Sequence, residues 1–288
     1  MKTMQKAKLI DGVALAAAVQ ERIRARVAAL REKGRAVRLD AVRVGGDDAA
    51  AIYARNQAKS CRAVGIEHVL HDLPATATYE DVAGRVLLLG RDQQVNAVMV
   101  HLPLPPRVDA EKIQSLIAVT KDVEGVNPAN IGNIVYGRRS LVPCTALAVM
   151  EMIESTGIEL QGTRCVCVGQ SNIVGKPLVV LLMRADATVI GTNKYTPDLG
   201  ELTRTGDVLV SAAGVAGLIK PDMVKPGAVV VDVGFNRIAT PDGRRTVGDV
   251  DFEAVGDVAG HLSPVPGGVG PMTVAMLMRN TVDAAERE

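Results

Sequence analysis

The chain of 288 residues predicts an α/β protein: two βαβ domains around a common cleft, the second doubly wound. Three observations carry this expectation. Short apolar runs of strand length alternate with amphipathic blocks of helix length from end to end, which is how βαβ chains read. Residues Arg164 to Leu178, RCVCVGQSNIVGKPL, pass from apolar strand through a glycine turn to a helix start. Aromatics make up 2% of the chain, with no Trp, so the core is built from Ala, Val, Leu and Ile.

The remaining composition narrows the function classes. With 48% hydrophobic and 23% charged residues, the chain reads as soluble and long enough for two domains. Net charge is +1 with scattered basic residues, so no nucleic-acid partner is expected. No run approaches the roughly 18 apolar residues of a membrane span, and the N-terminus lacks an apolar signal core. Cys61, Cys144, Cys165 and Cys167 match no zinc spacing, and the histidines form no metal-like helical pair. Core thiols in a reducing, cytoplasmic setting are expected, and no metal.

In order, Asp11 to Lys33 repeats Leu15, Val19, Ile23, Val27 and Leu30 at helical spacing, and Gly34 closes it. Leu39 to Val44 reads as a strand, Gly45-Gly46-Asp47-Asp48 as a turn, and Ala49 to Val64 as a helix carrying Tyr53, Gln57 and Lys59. Strands follow at Ile66 to His71 and Ala97 to Leu102, with helices at Tyr79 to Leu89 and Ala110 to Ala118. Thr120 to Gly137 is rich in Gly, Asn and Pro and is expected as a functional loop, being too long for a plain connector. A helix begins at Thr145. Beyond the Arg164 to Leu178 stretch, strands are expected at Ala187 to Gly191, Asp207 to Ser211 and Val229 to Val233. Ser263 to Thr273, SPVPGGVGPMT, is expected as a shaped loop with neither helix nor strand, before a last helix from Thr273 to Ala285.

Strand, Gly169 turn and helix from Gly175 form the corner at which backbone N–H groups and a helix N-terminus attract a pyrophosphate. Ser171 stands where the second glycine of the dinucleotide fingerprint would be, and the same spacing also fits an ordinary βα loop. The end of the next strand selects the cofactor. An NAD site places a carboxylate there, whereas a 2′-phosphate needs a cation. This chain has Thr192-Asn193-Lys194-Tyr195-Thr196 with no acid before Asp198, so Lys194 is the candidate 2′-phosphate contact and NADP the expected cofactor of a Rossmann-type domain.

KDVEG at 121–125, PCT at 143–145, GQSNIVGKP at 169–177, DVGFNR at 232–237, VGDV at 247–250 and PVPGGVGPMT at 264–273 follow one another in this order. Together they resemble the methylenetetrahydrofolate dehydrogenase/cyclohydrolase family, from about Asp11 to the C-terminus. The resemblance implies a homodimer with a folate-binding domain (1–145 plus 272–288) and an NADP-binding domain (146–271). It further implies oxidation of 5,10-methylene-tetrahydrofolate by hydride transfer, then hydrolysis of the methenyl product. By position, Gly169, Gln170 and Ser171 would hold the cofactor phosphates, and Gly214 and Phe235 would lie along the adenosine and nicotinamide path. Tyr53, His101, Leu102, Glu124, Pro264, Pro266, Gly267 and Gly268 would border the substrate.

The candidate catalytic set, Tyr53, Gln57, His101 and Glu124, departs from the family pattern. The family helix carries Ser, Tyr and Lys where this chain has Ala50, Tyr53 and Gln57. Its strand has Gln where this chain has His101, and its loop acid is Asp where this chain has Glu124. An amide does not titrate, so Gln57 cannot move a proton as a lysine can. Lys59 does not replace it: position 57 lies about 40° around the helix from Tyr53, position 59 about 240°. The expectation is a dehydrogenase with cyclohydrolase activity weak or lost. The alternatives are a bifunctional enzyme with His101 as base, an NADP oxidoreductase on another iminium or amine, and a non-catalytic folate- or NADP-binding protein.

Overall fold

The computed structural model describes residues 6–46, 48–138, 140–240 and 243–287, the side chains of 48–50, 53 and 240 excepted. Asp47, expected in a turn, lies outside the described residues. The chain divides into two compact units: residues up to Ala16 with Thr145–Thr273, and Ala17–Cys144 with the chain from Val274 onward.

The first of these holds a parallel sheet of β1 (Lys8–Leu9), β11 (His261–Leu262), β8 (Val229–Asp232), β7 (Val208–Ser211), β5 (Arg164–Val168) and β6 (Thr188–Thr192), in that spatial order. All its ladders are parallel. Strands β7 and β8 are buried along their whole length, which is why they read as unbroken apolar runs rather than alternating ones. Val166, Leu209, Val230 and Val255 belong to one apolar cluster of this unit. Helix α7 (Gly175–Arg184) follows β5, and α8 (Leu199–Thr203) follows β6. An antiparallel hairpin, β9 (Asn236–Thr240) with β10 (Gly243–Val247), and the short α9 (Phe252–Val255) complete it.

The other unit carries a three-stranded parallel sheet in the order β3 (Glu67–Leu73), β2 (Arg38–Val44), β4 (Ala97–Val100). Its helices include α2 (Asp48–Ala63), α3 (Tyr79–Arg91), α4 (Ala110–Leu116) and α5 (Pro128–Val135). Val42, Val98 and Val100 pack with Val82, Val86 and Ile113 in its apolar core. A reciprocal capping box between Thr78 and Asp81 starts α3, satisfying N–H groups that the first helical turn leaves free. Helices α1 (Gly12–Glu32), α6 (Cys144–Glu154) and α10 (Val269–Ala285) complete the element order. Among the described residues no helix is long and apolar enough to cross a membrane.

Several expectations are corrected. Lys8–Leu9 pairs in parallel with β11, so residues assigned by sequence to a 1–145 domain supply an edge strand of the other sheet. Strands of two residues carry no periodicity, and only the distant partner defines them. The 120–137 stretch is not all loop: Asn127 caps the Ala129 N–H, Pro128 occupies the first turn, and α5 follows. Thr120 to Asn127, with Tyr136 and Gly137 after the helix, keeps the looped character. Within 263–273, α10 begins at Val269 because Pro271, in a first turn, has no helical N–H bond to lose. The hairpin was not anticipated, since its strands are mostly polar and β10 starts exposed.

Candidate functional site

In the unit with the six-stranded sheet, β5 ends at Gly169, whose φ is +107°. A Cβ there would lie 2.2 Å from the Ala212 carbonyl oxygen, and one on Gly175 would lie 2.0 Å from that of Gly169. Both glycines are therefore required by close backbone approach, which brings the start of α7 against the strand end. Ser171 Oγ accepts from the Val174 N–H at 3.2 Å, and Lys176 Nζ donates to Asn172 Oδ1 at 2.7 Å. Among the described residues the backbone N–H groups of Gln170, Ser171 and Asn172 meet no acceptor, so the turn offers donors at a helix N-terminus. That donor set fits a pyrophosphate. Serine in the second glycine's place holds the turn through its own hydroxyl.

At the end of β6, Asn193 Nδ2 donates to Gln170 Oε1 at 3.0 Å, and the Tyr195 and Asn193 N–H groups are held by Asn193 Oδ1 and Thr196 Oγ1. Lys194 is exposed, its Nζ 4.9 Å from the centre of the Tyr195 ring. A cation thus stands at this strand end, and Asp198 begins the next helix in a left-handed conformation. Gly214 (φ +68°) donates its N–H to Asp249 Oδ2 at 3.0 Å. Phe235 is exposed, with the Arg237 guanidinium 5.8 Å from its ring centre. Pro264, Pro266, Gly267 and Gly268 lie in this same unit, where Gly268 sits so close to Gly12 that a Cβ on Gly12 would be 1.9 Å from its oxygen.

Two aspartates of the DVGFNR and VGDV motifs, neither assigned a role by sequence, organise this end of the sheet. Buried Asp249 accepts from the N–H groups of Ala213, Gly214 and Val215, from Ser211 Oγ and from Asn236 Nδ2. Asp232 accepts from the N–H groups of Gly234, Asp249 and Val250. Burial pushes Asp232 up to about 6 against those bonds. The glycines of both motifs are explained as well: a Cβ on Gly248 would lie 1.8 Å from Asp232 Oδ2, and one on Gly234 2.2 Å from Asp249 Oδ1. The small-residue turn after β7 is thereby clamped by a carboxylate rather than left loose.

In the other unit, α2 carries Tyr53, whose side chain lies outside the described atoms, and Gln57, which is 5% exposed. Gln57 Nε2 donates to Met99 Sδ at 2.9 Å, and its Oε1 lies 3.2 Å from His68 Nε2. His68 was not foreseen as a site residue. It is on β3, and only the register of β3 and β4 on the shared neighbour β2 puts it on the sheet face of Met99, where both side chains meet Gln57. Lys59 is exposed, as the helical geometry requires. His101 follows β4, its N–H bonded to the Val42 carbonyl. Burial lowers His101 to about 4, with smaller contributions from His68 and Arg43. Leu102 is half exposed.

Glu124 sits beside the buried Asp122. Its Oε2 is shut off from solvent without a hydrogen-bond partner among the described residues. Burial raises Glu124 to about 7, the Asp122 charge adds to the rise, and a backbone bond at Val100 opposes it. Asp122 Oδ2 accepts from the Asn127 N–H and Asn130 Nδ2. Asn280 Nδ2 donates to the Val123 and Val142 carbonyls, and Cys144 Sγ donates to Val123. A Cβ on Gly125 would lie 2.4 Å from the Val142 carbonyl carbon, so the KDVEG and PCT segments are packed backbone to backbone. Cys61, Cys165 and Cys167 are buried thiols pushed up to about 12 by desolvation. No cluster of metal-ligating side chains occurs among the described residues.

Fold and sites define a two-unit α/β protein with a dinucleotide-type corner in one unit and buried ionisable groups in the other. The NAD(P)-binding domain profile of tetrahydrofolate dehydrogenase/cyclohydrolase matches residues 143–288, and the catalytic domain profile of the same family matches 10–124. A Bordetella bronchiseptica relative, bifunctional protein FolD, is 47% identical over 281 residues, 98% of each chain. The FolD crystal structure from Campylobacter jejuni superposes with a TM-score of 0.94 at 38% identity, covering 98% of this chain and 99% of that one. The Trypanosoma brucei enzyme, solved with NADP and an inhibitor, gives 0.92 at 38% identity, covering 98% of both. The chain belongs to the tetrahydrofolate dehydrogenase/cyclohydrolase family.

Proposed function

We propose that the protein is an NADP-dependent 5,10-methylene-tetrahydrofolate dehydrogenase, a cytoplasmic homodimer, whose methenyl cyclohydrolase activity is weak or lost. The cofactor half of this reading is supported by the donor-lined turn at 169–172 and by Lys194 at the end of β6, with no carboxylate before Asp198. When bound, NADP supplies the hydride acceptor for the substrate's methylene carbon. For this chain's residues, hydride transfer requires mainly positioning and exclusion of water. Hydrolysis asks for more, because water must lose a proton while a ring C–N bond breaks.

The observation that carries the hydrolase half is Gln57. Its amide lies buried between Met99 Sδ and His68 Nε2, at the helix position where the family pattern has lysine, and it has no proton to exchange at any working pH. His101 does not fill the gap: held near 4, its imidazole is neutral at pH 7 but too weak a base to match the reaction. Burial brings Glu124 to about 7, so it is a group of this unit in titrating range.

The test is spectrophotometric. With methylene-tetrahydrofolate the protein is expected to reduce NADP, and added methenyl-tetrahydrofolate is expected to decay at the rate seen without enzyme. The Gln57→Lys variant should accelerate that decay about a hundredfold or more, the low end of what a placed acid or base contributes. Fast methenyl decay with the unaltered protein would end the hydrolase half of the proposal. Absence of NADPH formation would end the dehydrogenase half.

A further inference from the structure

We propose that His68 is a positioning residue that turns the Gln57 amide into a one-way hydrogen-bond donor toward the substrate. The inference rests on the dehydrogenase reading for the identity of that substrate. An amide is ambivalent: either end can face a ligand, as acceptor or as donor. Here both ends have assigned neighbours. Thioether sulfur accepts but cannot donate, so the end beside Met99 Sδ, at 2.9 Å, is the NH2 group. The carbonyl end then faces His68 Nε2 at 3.2 Å, and an imidazole N–H there completes the pair. Burial lowers the His68 pKa, which favours the neutral ring, and the Gln57 carbonyl facing Nε2 calls for the proton on that nitrogen.

The consequence is chemical. One N–H of the amide is used on Met99, and the second meets no acceptor among the described residues. A lysine ammonium also offers only donors, so at position 57 the His68–Gln57 pair preserves the donor character of a lysine while removing its ability to titrate. Substrate acceptors are still met, and proton transfer is not. The residue arises from sheet register: His68 lies opposite Leu39 on β2, and Leu39 opposite Ala97 on β4. Side chains of β3 and β4 thus reach the α2 helix from the same face.

The experiment combines histidine nitrogen NMR on the full chain with steady-state kinetics. In the unaltered protein His68 is expected as the Nε2–H tautomer, and Gln57→Leu is expected to shift its Nε2 resonance. His68→Phe should raise KM for methylene-tetrahydrofolate about three- to tenfold, the range of one lost hydrogen bond, with kcat within about twofold. His68→Gln, whose terminal N–H reaches as far as an imidazole Nε2, should restore KM and also shows whether position 68 tolerates change. In a Gln57→Leu background the His68→Phe effect should vanish, as it must when one residue acts through the other. An Nδ1–H tautomer, or an undiminished His68→Phe effect in that background, would overturn the proposal. If the unaltered protein turned over no methylene-tetrahydrofolate, the dehydrogenase reading would fall, while the tautomer and its response to Gln57→Leu would still decide the positioning role.

Discussion

In the unit of the six-stranded sheet, the candidate cofactor corner is made mainly of backbone. Gly169 and Gly175 let one chain segment lie on another, and Asp232 and Asp249 direct their oxygens at N–H groups of adjacent turns. Side-chain identity matters there chiefly where a Cβ would not fit. In the unit of the three-stranded sheet the candidate groups are side chains at the end of packed elements: Gln57 against Met99 and His68, His101 behind β4, Glu124 beside Asp122. A backbone site constrains its sequence tightly, because a single methyl group collides with a carbonyl. A side-chain site can exchange lysine for glutamine, or aspartate for glutamate, and keep its shape while its chemistry changes. The departures from the family pattern noted in the sequence, Ala50, Gln57, His101 and Glu124, all lie in the second kind of region.

The sharpest way to break this contrast is Gly169→Ala. With φ at +107° and a Cβ 2.2 Å from the Ala212 oxygen, it is expected to lose about 3 kcal/mol or more of stability, from left-handed strain plus overpacking. Thermal unfolding and NADP fluorescence titration would both register it, and an unchanged melt with unchanged binding would contradict the close-approach argument.

Glu124→Gln tests the other region through pH. The folded-state pKa near 7 exceeds the ordinary 4.5, so the native protein binds this proton more tightly than the unfolded chain does. Its contribution is most favourable below pH 4.5 and is lost as pH rises through 7. The variant should therefore be more stable than the parent at pH 8, by at most about 3.4 kcal/mol, and nearly equal to it below pH 4.5. His101, lowered from 6.5 to about 4, acts with the opposite sign: it costs stability as pH falls from 6.5 through 4 in both proteins and cancels from the difference. Denaturant melts across pH 4 to 8 would show the difference opening as pH rises, and a constant difference would refute it.

Lys194→Ala should raise KM for NADP about tenfold, the size of one charge-assisted phosphate contact, and leave KM for NAD unchanged. An equal rise for both cofactors would remove Lys194 from the 2′-phosphate assignment. The smallest expected effect is that of Lys59→Ala. It is exposed and on the wrong side of α2, and should change stability by less than about 0.5 kcal/mol and methenyl hydrolysis not at all.

Much of this was legible in the residues. The alternation of apolar runs with helical blocks marked the α/β class, and RCVCVGQSNIVGKPL marked the strand, turn and helix that the structure places at β5 and α7. Both depend on neighbours in sequence, as local propensity and periodicity do. The composition of 120–137 suggested a loop and concealed α5, although Asn127-Pro128 was a visible helix start. The roles of Asp232 and Asp249 were hidden because their partners are backbone groups of turns distant in the chain, and a motif names the residue but not what it holds.

What the sequence determined alone was the alternation that selects a parallel α/β fold, the glycines that admit a close turn, the absence of a carboxylate before Asp198 and the absence of a lysine at 57. Tertiary structure decided which side chains meet. Register set His68 and Met99 on the sheet face that meets Gln57, long-range pairing drew Lys8–Leu9 into a sheet with His261–Leu262, and burial moved Glu124 toward 7 and His101 toward 4. The physical reason is common to all three. Hydrogen-bond partners and desolvation are properties of the space around a residue, and that space is filled by segments far away along the chain.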